Sequence, residues 1–381
     1  MNLAETQEKV RKFLVIVAVV TFVYYTSKFL FFQSVDFYRK LNPPKSPEPI
    51  HAFGILPKLK MKEVRVNGTP TYILDTINGN LPVFPDREDV YQVIEPTTNL
   101  LSEQQIKQLA VDLDFTGSYI PLSKSEFRWI DGINNRTFTG HAVRKIFSLD
   151  TPTSKISTVI FQSPNITKED AINMVSGFIR SKSLVSAEDI NNLKFDAVSA
   201  QISLGTIKET NELNPTTKLI KVNVHRTISK VIDAKPVNYI VYGPNPKDSK
   251  ISFYVTNQAG IFKFPKINFT YWDTNYTNKS DYYLSSVSTV WEAVKQGKGV
   301  VSYAKGTNDN YFELPNFITA NTIEIREVSL AYYEGQELPA YMQPIYVFDG
   351  IYTYTNETTG QAEKGDIVIY YPATRGDFVT N

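Results

Sequence analysis

Residues 13–32 read FLVIVAVVTFVYYTSKFLFF, and this stretch decides how the rest of the chain is arranged. A helix of that length rises about 1.5 Å per residue and spans roughly 30 Å, the hydrocarbon thickness of a bilayer. Lys28 is the one charged residue in the stretch. The stretch therefore predicts a transmembrane helix, with a short tail before it and a large body displayed after it.

The residues around the apolar core favour an anchor that stays in the chain. Tyr24, Tyr25 and Lys28 lie toward one end, where aromatic rings and a lysine amine reach the lipid headgroups. A cleaved signal peptide is the alternative, but it needs small residues at its cleavage site. The segment after the apolar core reads TSKFLFFQSVD, which is large and aromatic. We therefore expect an uncleaved anchor at residues 13–32.

Composition limits the compartment and the kinds of partner. The chain has no cysteine, which excludes disulfides, thiolate metal sites and cysteine nucleophiles. A net charge of +1 gives no indication of nucleic-acid binding. A bacterial envelope protein fits these properties, because secreted animal proteins often rely on disulfides. Basic residues flank the anchor on both sides, so the size of the body alone predicts a cytoplasmic tail at 1–12 and an extracytoplasmic remainder.

The chain after the anchor divides into a stalk and three predicted domains. Residues 33–50 contain four prolines, which predict an extended stalk. Helical patterns followed by strand patterns predict α+β domains at 51–164, 165–280 and 281–381, each with a helix on one face of an antiparallel sheet. Within the first of these, residues 155–161, KISTVIF, predict a strand.

Each predicted domain contains one helix whose start or end is marked in the sequence. In the first, Ser102 and Gln105 match a capping box, with Leu101 and Ile106 as its hydrophobic staple. In the second, Thr167 stands three residues before an aspartate and predicts a cap in the same way. The third helix has apolar residues at helical spacing and ends at glycines. Its residues are Val287, Val290, Trp291, Val294, Gly297 and Gly299.

Two stretches resemble known families. ITKEDAINMVSGFI at residues 166–179, followed by paired strands, resembles the opening of PepSY-like domains. LSSVSTVWEAVKQGKGVV, IEIREVSLAYYEG and YMQPIYVFDG, within residues 284–354, resemble the final domain of the YycH/YycI group of membrane-anchored regulators. The resemblance implies one anchor, an extracytoplasmic α+β body and no catalysis. It also implies a partner among envelope proteins, such as a sensor kinase or a protease.

No residue pattern predicts a catalytic site. Histidine occurs only at His51, His141 and His225, and no two are four residues apart, so the chain has no helical histidine pair. Ser302 and Lys305 match Ser-x-x-Lys, but they lie in a predicted strand that points them apart, and the partner motifs of that chemistry are missing. We therefore expect no enzyme, with a glycan-active enzyme using paired carboxylates as the least favoured alternative.

One polar segment resembles a cation site. Asp273, Asn275, Asn278 and Asp281 bring oxygen atoms close together in a predicted loop. Calcium is conceivable, but the spacing lacks the glycine and the closing glutamate of an EF-hand. We therefore interpret the segment as a solvated polar loop and expect no metal and no cofactor.

Tyrosines in the last predicted strands form the candidate partner-binding surface. Tyrosine suits pleated strands, so most of these rings are expected to pack within a sheet. Strand alternation leaves others pointing outward, where they would bind a partner. The candidates are Tyr332, Tyr333, Tyr341, Tyr346, Tyr352 and Tyr354. The sequence thus indicates a single-pass, membrane-anchored regulatory protein that acts through protein contacts, with a structural subunit of an envelope assembly as the alternative.

Overall fold

The computed structural model describes residues 3–41, 48–99, 101–210, 216–232, 235–306, 312–356 and 359–380. Contacts divide the chain into two units, Met1–Glu48 and Pro49–Asn381. Strands hold 43% of the residues and helices 24%, so the predicted α+β class is confirmed.

The first unit contains one long helix, α1 (Leu3–Leu41). Its apolar part, Val10–Val35, has a mean hydropathy of 1.9 and is long and apolar enough to span a membrane. The predicted span lies inside this part. The helix also runs through the start of the predicted stalk, because residues 33–41 contain neither proline nor glycine to end it. The next three prolines of the predicted stalk lie outside the described residues.

Among the described residues, the second unit contains the other four α-helices and all the strands. The helices are α2 (Ser102–Asp112), α3 (Thr153–Gln162), α4 (Lys168–Ser181) and α5 (Val287–Lys295). The strands are β1 (Arg65–Asn67), β2 (Thr71–Leu74), β3 (Arg87–Val93), β4 (Tyr119–Pro121), β5 (Glu126–Asp131), β6 (Arg136–His141), β7 (Lys145–Asp150), β8 (Ile166–Thr167), β9 (Leu193–Ser203), β10 (Thr206–Glu209), β11 (Thr216–Thr217), β12 (Leu219–Ile232), β13 (Lys235–Tyr242), β14 (Ile251–Val255), β15 (Lys266–Tyr271), β16 (Thr274–Tyr283), β17 (Val300–Gly306), β18 (Phe317–Thr319), β19 (Thr322–Tyr333), β20 (Tyr341–Thr355) and β21 (Ala362–Pro372).

A large antiparallel sheet organises the first part of this unit. Its strand order is β10–β9–β12–β14–β15–β7–β6–β5–β4, and every neighbouring pair is antiparallel. Helices α2 and α4 share one core with the sheet, in which Ile106 and Ala110 of α2 and Val175 and Ile179 of α4 are buried together with Phe138 of β6. The first two predicted helices therefore pack on one sheet, where the sequence suggested a sheet for each.

Helix α3 occupies residues for which a strand was predicted, so that prediction is wrong. Residues 155–161 are rich in isoleucine, valine and threonine, which favour strands by propensity. Pro152 stands at the start of the helix, and Ile156 and Ile160, one turn apart, pack against Leu219. Burial of this apolar edge outweighs the local propensity.

A second sheet organises the carboxy-terminal part. Its strand order is β19–β20–β21–β17, all antiparallel. Strands β2 and β13 run parallel to the two ends of β19. Helix α5 packs on this sheet, with Val290, Trp291 and Val294 in one core with Ile325 and Ile369. The third predicted helix thus packs on strands as expected.

Strand pairings cross the predicted domain boundaries. Strand β7 of the first predicted domain pairs with β15 of the second, and β13 of the second pairs with β19 of the third. Strand β3 pairs with both β16 and β20. The boundaries predicted at 164/165 and 280/281 therefore fall inside one compact unit, because strands from different predicted domains satisfy one another's backbone hydrogen bonds.

The ends of α4 and α5 follow the sequence signals, whereas the start of α2 does not. Thr167 Oγ1 accepts a hydrogen bond from Asp170 N at 3.0 Å, and Gly297 follows α5 with a φ of +74°. The predicted cap of α2 is wrong, because Ser102 is already helical and Leu101 before it has helical backbone angles. Leu101 is also exposed, so it forms no hydrophobic staple.

Replacing Thr167 by alanine is expected to lower the free energy of unfolding by about 1 kcal/mol, because Asp170 N loses its capping acceptor. Urea unfolding of the full chain in detergent measures the change. Thr158→Ala is the control: this threonine is exposed in α3 and its hydroxyl bonds only to Ser154 O, so its removal changes stability by about 0.5 kcal/mol or less. Equal losses in the two variants would contradict the capping role.

Candidate functional site

The six candidate tyrosines do not form an exposed row. Tyr332, Tyr333, Tyr346 and Tyr352 are buried, whereas Tyr341 and Tyr354 are partly buried. The physical reason is that β19 and β20 bury side chains on both faces. Tyr332, Tyr346 and Tyr352 belong to the same core as Trp291 of α5. Tyr333 belongs to a separate core on which residues 59 and 61 pack.

The hydroxyls of three of the buried tyrosines bond to backbone carbonyls, which accounts for tyrosine in place of phenylalanine there. Burial raises the pKa of Tyr333 and of Tyr346 to about 12, so both hydroxyls remain donors at neutral pH. The bonds run from Tyr332 to Asp89 O at 2.8 Å, from Tyr333 to Lys60 O at 2.9 Å and from Tyr346 to Ser285 O at 2.9 Å.

Tyr333 and Tyr341 nevertheless line a surface groove of about 510 Å³. One wall is formed by residues 57–62, PKLKMK, which we call the strap. The other wall is the loop at 335–340, which joins β19 to β20. The volume lies within the range of about 300–1,000 Å³ that is typical of ligand sites. The groove is therefore the part of the predicted tyrosine surface that is open to a partner.

The strap belongs to no strand, but the alternation of exposed residues at 58, 60 and 62 with partly buried ones at 59 and 61 indicates an extended backbone. Leu59 and Met61 pack against the core that contains Tyr333. Gln343 Nε2 donates to Pro57 O at 2.9 Å, and Tyr333 donates to Lys60 O. Side chains of the second sheet thus hold the strap in place from the body of the protein.

The rim of the groove is basic. Lys58, Lys60 and Lys62 alternate with the two inward side chains of the strap and are exposed. Lys60 contacts Glu337 across the groove at 3.4 Å, but the two side chains are 89% and 85% exposed, so the pair contributes little. Lys58 and Lys62 form no ion pair with any described residue. Lysines at this rim are therefore free to meet negative charge on a partner.

A buried ionic cluster holds the start of the loop wall. Arg226 contacts Asp189 Oδ2 at 3.1 Å and also binds Glu334, the last residue before the loop. Lys250 contacts Glu334 at 3.4 Å and donates to Gly335 O at 2.9 Å. This cluster was not predicted from the sequence. The signal was present, because Arg226 continues the inward alternation of β12 that runs through residues 220, 222 and 224.

A second cleft, of about 630 Å³, opens between α2, the end of α4 and the β6–β7 hairpin. Two of the lysines that line it are already paired. Lys182 contacts Asp112 at 2.8 Å, and Lys145 contacts Asp273 at 3.0 Å. His141 also lines it, and burial lowers its pKa, while its Nδ1 accepts the amide N–H of Arg144 at 3.1 Å. Fewer free charges face this cleft than face the strap groove.

Three other residues considered from the sequence, His225, Ser302 and Lys305, are buried or paired within the fold. Burial lowers the pKa of His225 to about 4, which keeps this side chain neutral. Ser302 is buried in β17, and Lys305 on the same strand pairs with Glu209 at 2.8 Å. Among the described residues, no group of three or more His, Cys, Asp or Glu side chains could hold a metal ion.

The polar loop predicted around residue 275 is a strand. Asn275, Asn278 and Asp281 lie in β16, and Asp273 lies just before it. The loop prediction is wrong because β16 pairs with β3 on both sides of a bulge, at residues 274–275 and 279–283, and polar composition does not exclude such pairing. Asp281 contacts Arg87 of β3 at 3.3 Å, so its carboxylate forms an ion pair between the two strands.

No family model matches the chain, and no curated protein matches it either. Among solved structures, it is similar to an uncharacterized protein from Eubacterium rectale, with 10% identity and a TM-score of 0.39. The match covers 77% of this chain and 85% of that one. Similarity at this level says nothing about what either protein does.

Proposed function

We propose that this chain is a single-pass, membrane-anchored binding protein of a bacterial cell envelope. Its folded unit lies on the extracytoplasmic side and acts on another envelope protein through contacts, without catalysis. The observation that carries the proposal is the strap groove, an open and preformed surface lined by two tyrosines and rimmed by lysines. The weak resemblance to PepSY-like and YycH/YycI-like regulators supports the same role.

The apolar helix supports the membrane part of this proposal. Val10–Val35 is 26 residues long, more than the about 20 that a helix needs to cross a bilayer. Its large apolar side chains are exposed along most of that stretch, so lipid is the solvent that suits them. The helix is thus the device that would hold the binding unit at the envelope.

The groove supports the partner part of the proposal. Tyrosine and methionine are enriched where proteins meet, and both types line this groove, at Tyr333, Tyr341 and Met61. Its lysines would draw in an acidic partner and set the register of contact. These are properties of a recognition surface for a protein, in which a few anchors contribute most of the binding energy.

Reversal of the strap charges is expected to remove the partner. Cells are treated with a reversible cross-linker, and the full chain is purified from detergent extracts of the membranes. In the variant Lys58→Glu, Lys60→Glu, Lys62→Glu, recovery of the partner should fall about tenfold or more, because attraction becomes repulsion. The matched control is Lys124→Glu, Lys208→Glu, Lys298→Glu, which reverses three exposed lysines away from the groove. Identical partner recovery with all three proteins would contradict the proposal.

An open sheet edge favours a second function, a structural subunit of an envelope assembly. Within the described residues, β4 pairs only with β5, which leaves its other edge free. Ile120 on β4 and Ile130 on β5 are exposed beside that edge. Free strand edges with apolar side chains join neighbouring chains laterally. Recovery of only untagged copies of the same chain in the cross-linking experiment would favour this function over the first.

A further inference from the structure

We propose that the occupant of the strap groove is an extended acidic peptide segment that pairs with the strap as an added β-strand. This inference rests on the proposed function, since it names the kind of partner segment that the groove would bind. Strand addition of this type takes its affinity from main-chain hydrogen bonds and its specificity from alternate side chains.

The backbone of the strap has one edge bonded at residues 58 and 60, and an opposite edge bonded only at Pro57 O, by Gln343. Lys58 N donates to Thr380 Oγ1 at 3.1 Å, and Lys60 O accepts from Tyr333 at 2.9 Å. In an extended chain, the amide groups of alternate residues point to the same side. The N–H and C=O groups of Leu59 and Met61 therefore point to the opposite side, where no described residue bonds to them. Such a row of unpaired groups is a template for another strand.

The strap is ordered before any partner arrives. Leu59 and Met61 are anchored in the core, and side chains of β19 and β20 hold the carbonyls of Pro57 and Lys60. A partner therefore does not have to fix the strap when it binds, which lowers the entropic cost of association. Without these anchors, a segment outside any sheet would be a poor template.

The charges select an acidic segment. The groove lining contains three lysines, at positions 58, 60 and 62, and one exposed carboxylate, Glu337. Lysines two residues apart lie on one face of an extended chain, so acidic residues at alternate positions of an added strand come to lie opposite them. The exposed Lys60–Glu337 pair exchanges at little cost when a partner carboxylate takes its place. The intervening partner residues face the core and should be apolar.

A short peptide of alternating glutamate and valine tests this arrangement on the unaltered protein. The full chain is embedded in nanodiscs of phosphatidylcholine, and binding of the labelled peptide is followed by fluorescence anisotropy. Two further peptides carry N-methyl groups, one on the valine amides and the other on the glutamate amides. Because the two sets of amides lie on opposite edges of an extended peptide, only one set donates to the strap. We expect about tenfold weaker binding for one methylated peptide and unchanged binding for the other.

Four outcomes would overturn the inference. The first is no binding by the unmethylated peptide, and the second is an equal effect, or none, from both methylations. The third is equal binding by an alternating lysine–valine peptide. The fourth is displacement of the peptide by phosphatidylglycerol vesicles, which would assign the lysines to a lipid surface. Loss of the cellular partner on strap-charge reversal, with no methylation effect, would leave the proposed function standing and remove only strand addition. Peptide binding that depends on methylation, with no partner recovered from cells, would remove the proposed function and leave strand addition standing.

Discussion

Replacing Arg226 by methionine is expected to lower the free energy of unfolding by about 3–5 kcal/mol, because buried Asp189 loses its cation and buried Glu334 keeps only Lys250. Arg226 is 4% exposed, and its guanidinium bonds to Asp189, Glu334 and the carbonyl oxygen of Trp272. Burial opposes its charge, but Glu334 and Asp189 outweigh burial and raise its pKa. Methionine fills similar space but offers none of these hydrogen bonds.

Two further variants separate the loss of charge from the loss of packing. Arg226→Lys keeps the charge but cannot reach as many acceptors, so its stability should lie between those of the wild type and the methionine variant. Arg326→Met removes a half-exposed arginine whose nearest carboxylates are 3.9 Å away, so it should change stability by about 0.5 kcal/mol or less. Urea unfolding of the full chain in detergent measures all three. A loss in Arg226→Met no larger than in Arg326→Met would show that the cluster contributes nothing.

Two arginines in the middle of α1 are expected to remove the protein from the membrane. Val19 and Val23 lie near the centre of Val10–Val35. An arginine at the centre of a membrane helix costs about 2.5–3.5 kcal/mol, so Val19→Arg with Val23→Arg should prevent stable insertion. The control is Val19→Leu with Val23→Leu, which keeps the stretch apolar. The measured quantity is the fraction of the chain in the membrane pellet after an alkaline carbonate wash. Equal pellet fractions for the two variants would contradict insertion of α1.

The sequence predicted those elements whose local signals agree with their tertiary packing. Thr167 caps α4 and Gly297 ends α5 as predicted, because both residues act within a turn of their own helix. The strand prediction for residues 155–161 was wrong because their β-branched side chains have strand propensity. In the fold, Ile156 is buried in one cluster with Leu219, which is more than sixty residues away in the sequence. Local pattern carries no information about such a contact.

Predicting the groove would require the order of the strands in the sheets, which cannot be read from the sequence. Its two walls meet through Lys60 and Glu337, which are 277 residues apart in the chain. The alternation of the strap is visible in PKLKMK, but a sequence of this kind predicts a strand without indicating that the backbone groups of Leu59 and Met61 remain unpaired. The burial of Tyr332 and Tyr346 was equally out of reach, because their rings pack on residues distant in sequence: Tyr332 on Tyr91 and Tyr239, and Tyr346 on Phe84.

The intact mass of the wild-type protein recovered from carbonate-washed membranes tests the central claim, that α1 stays in the chain and holds it in lipid. The account predicts that the pellet contains a protein whose mass includes Val10–Val35. A mature protein that begins beyond residue 32, or a full-length protein found in the soluble fraction, would contradict it.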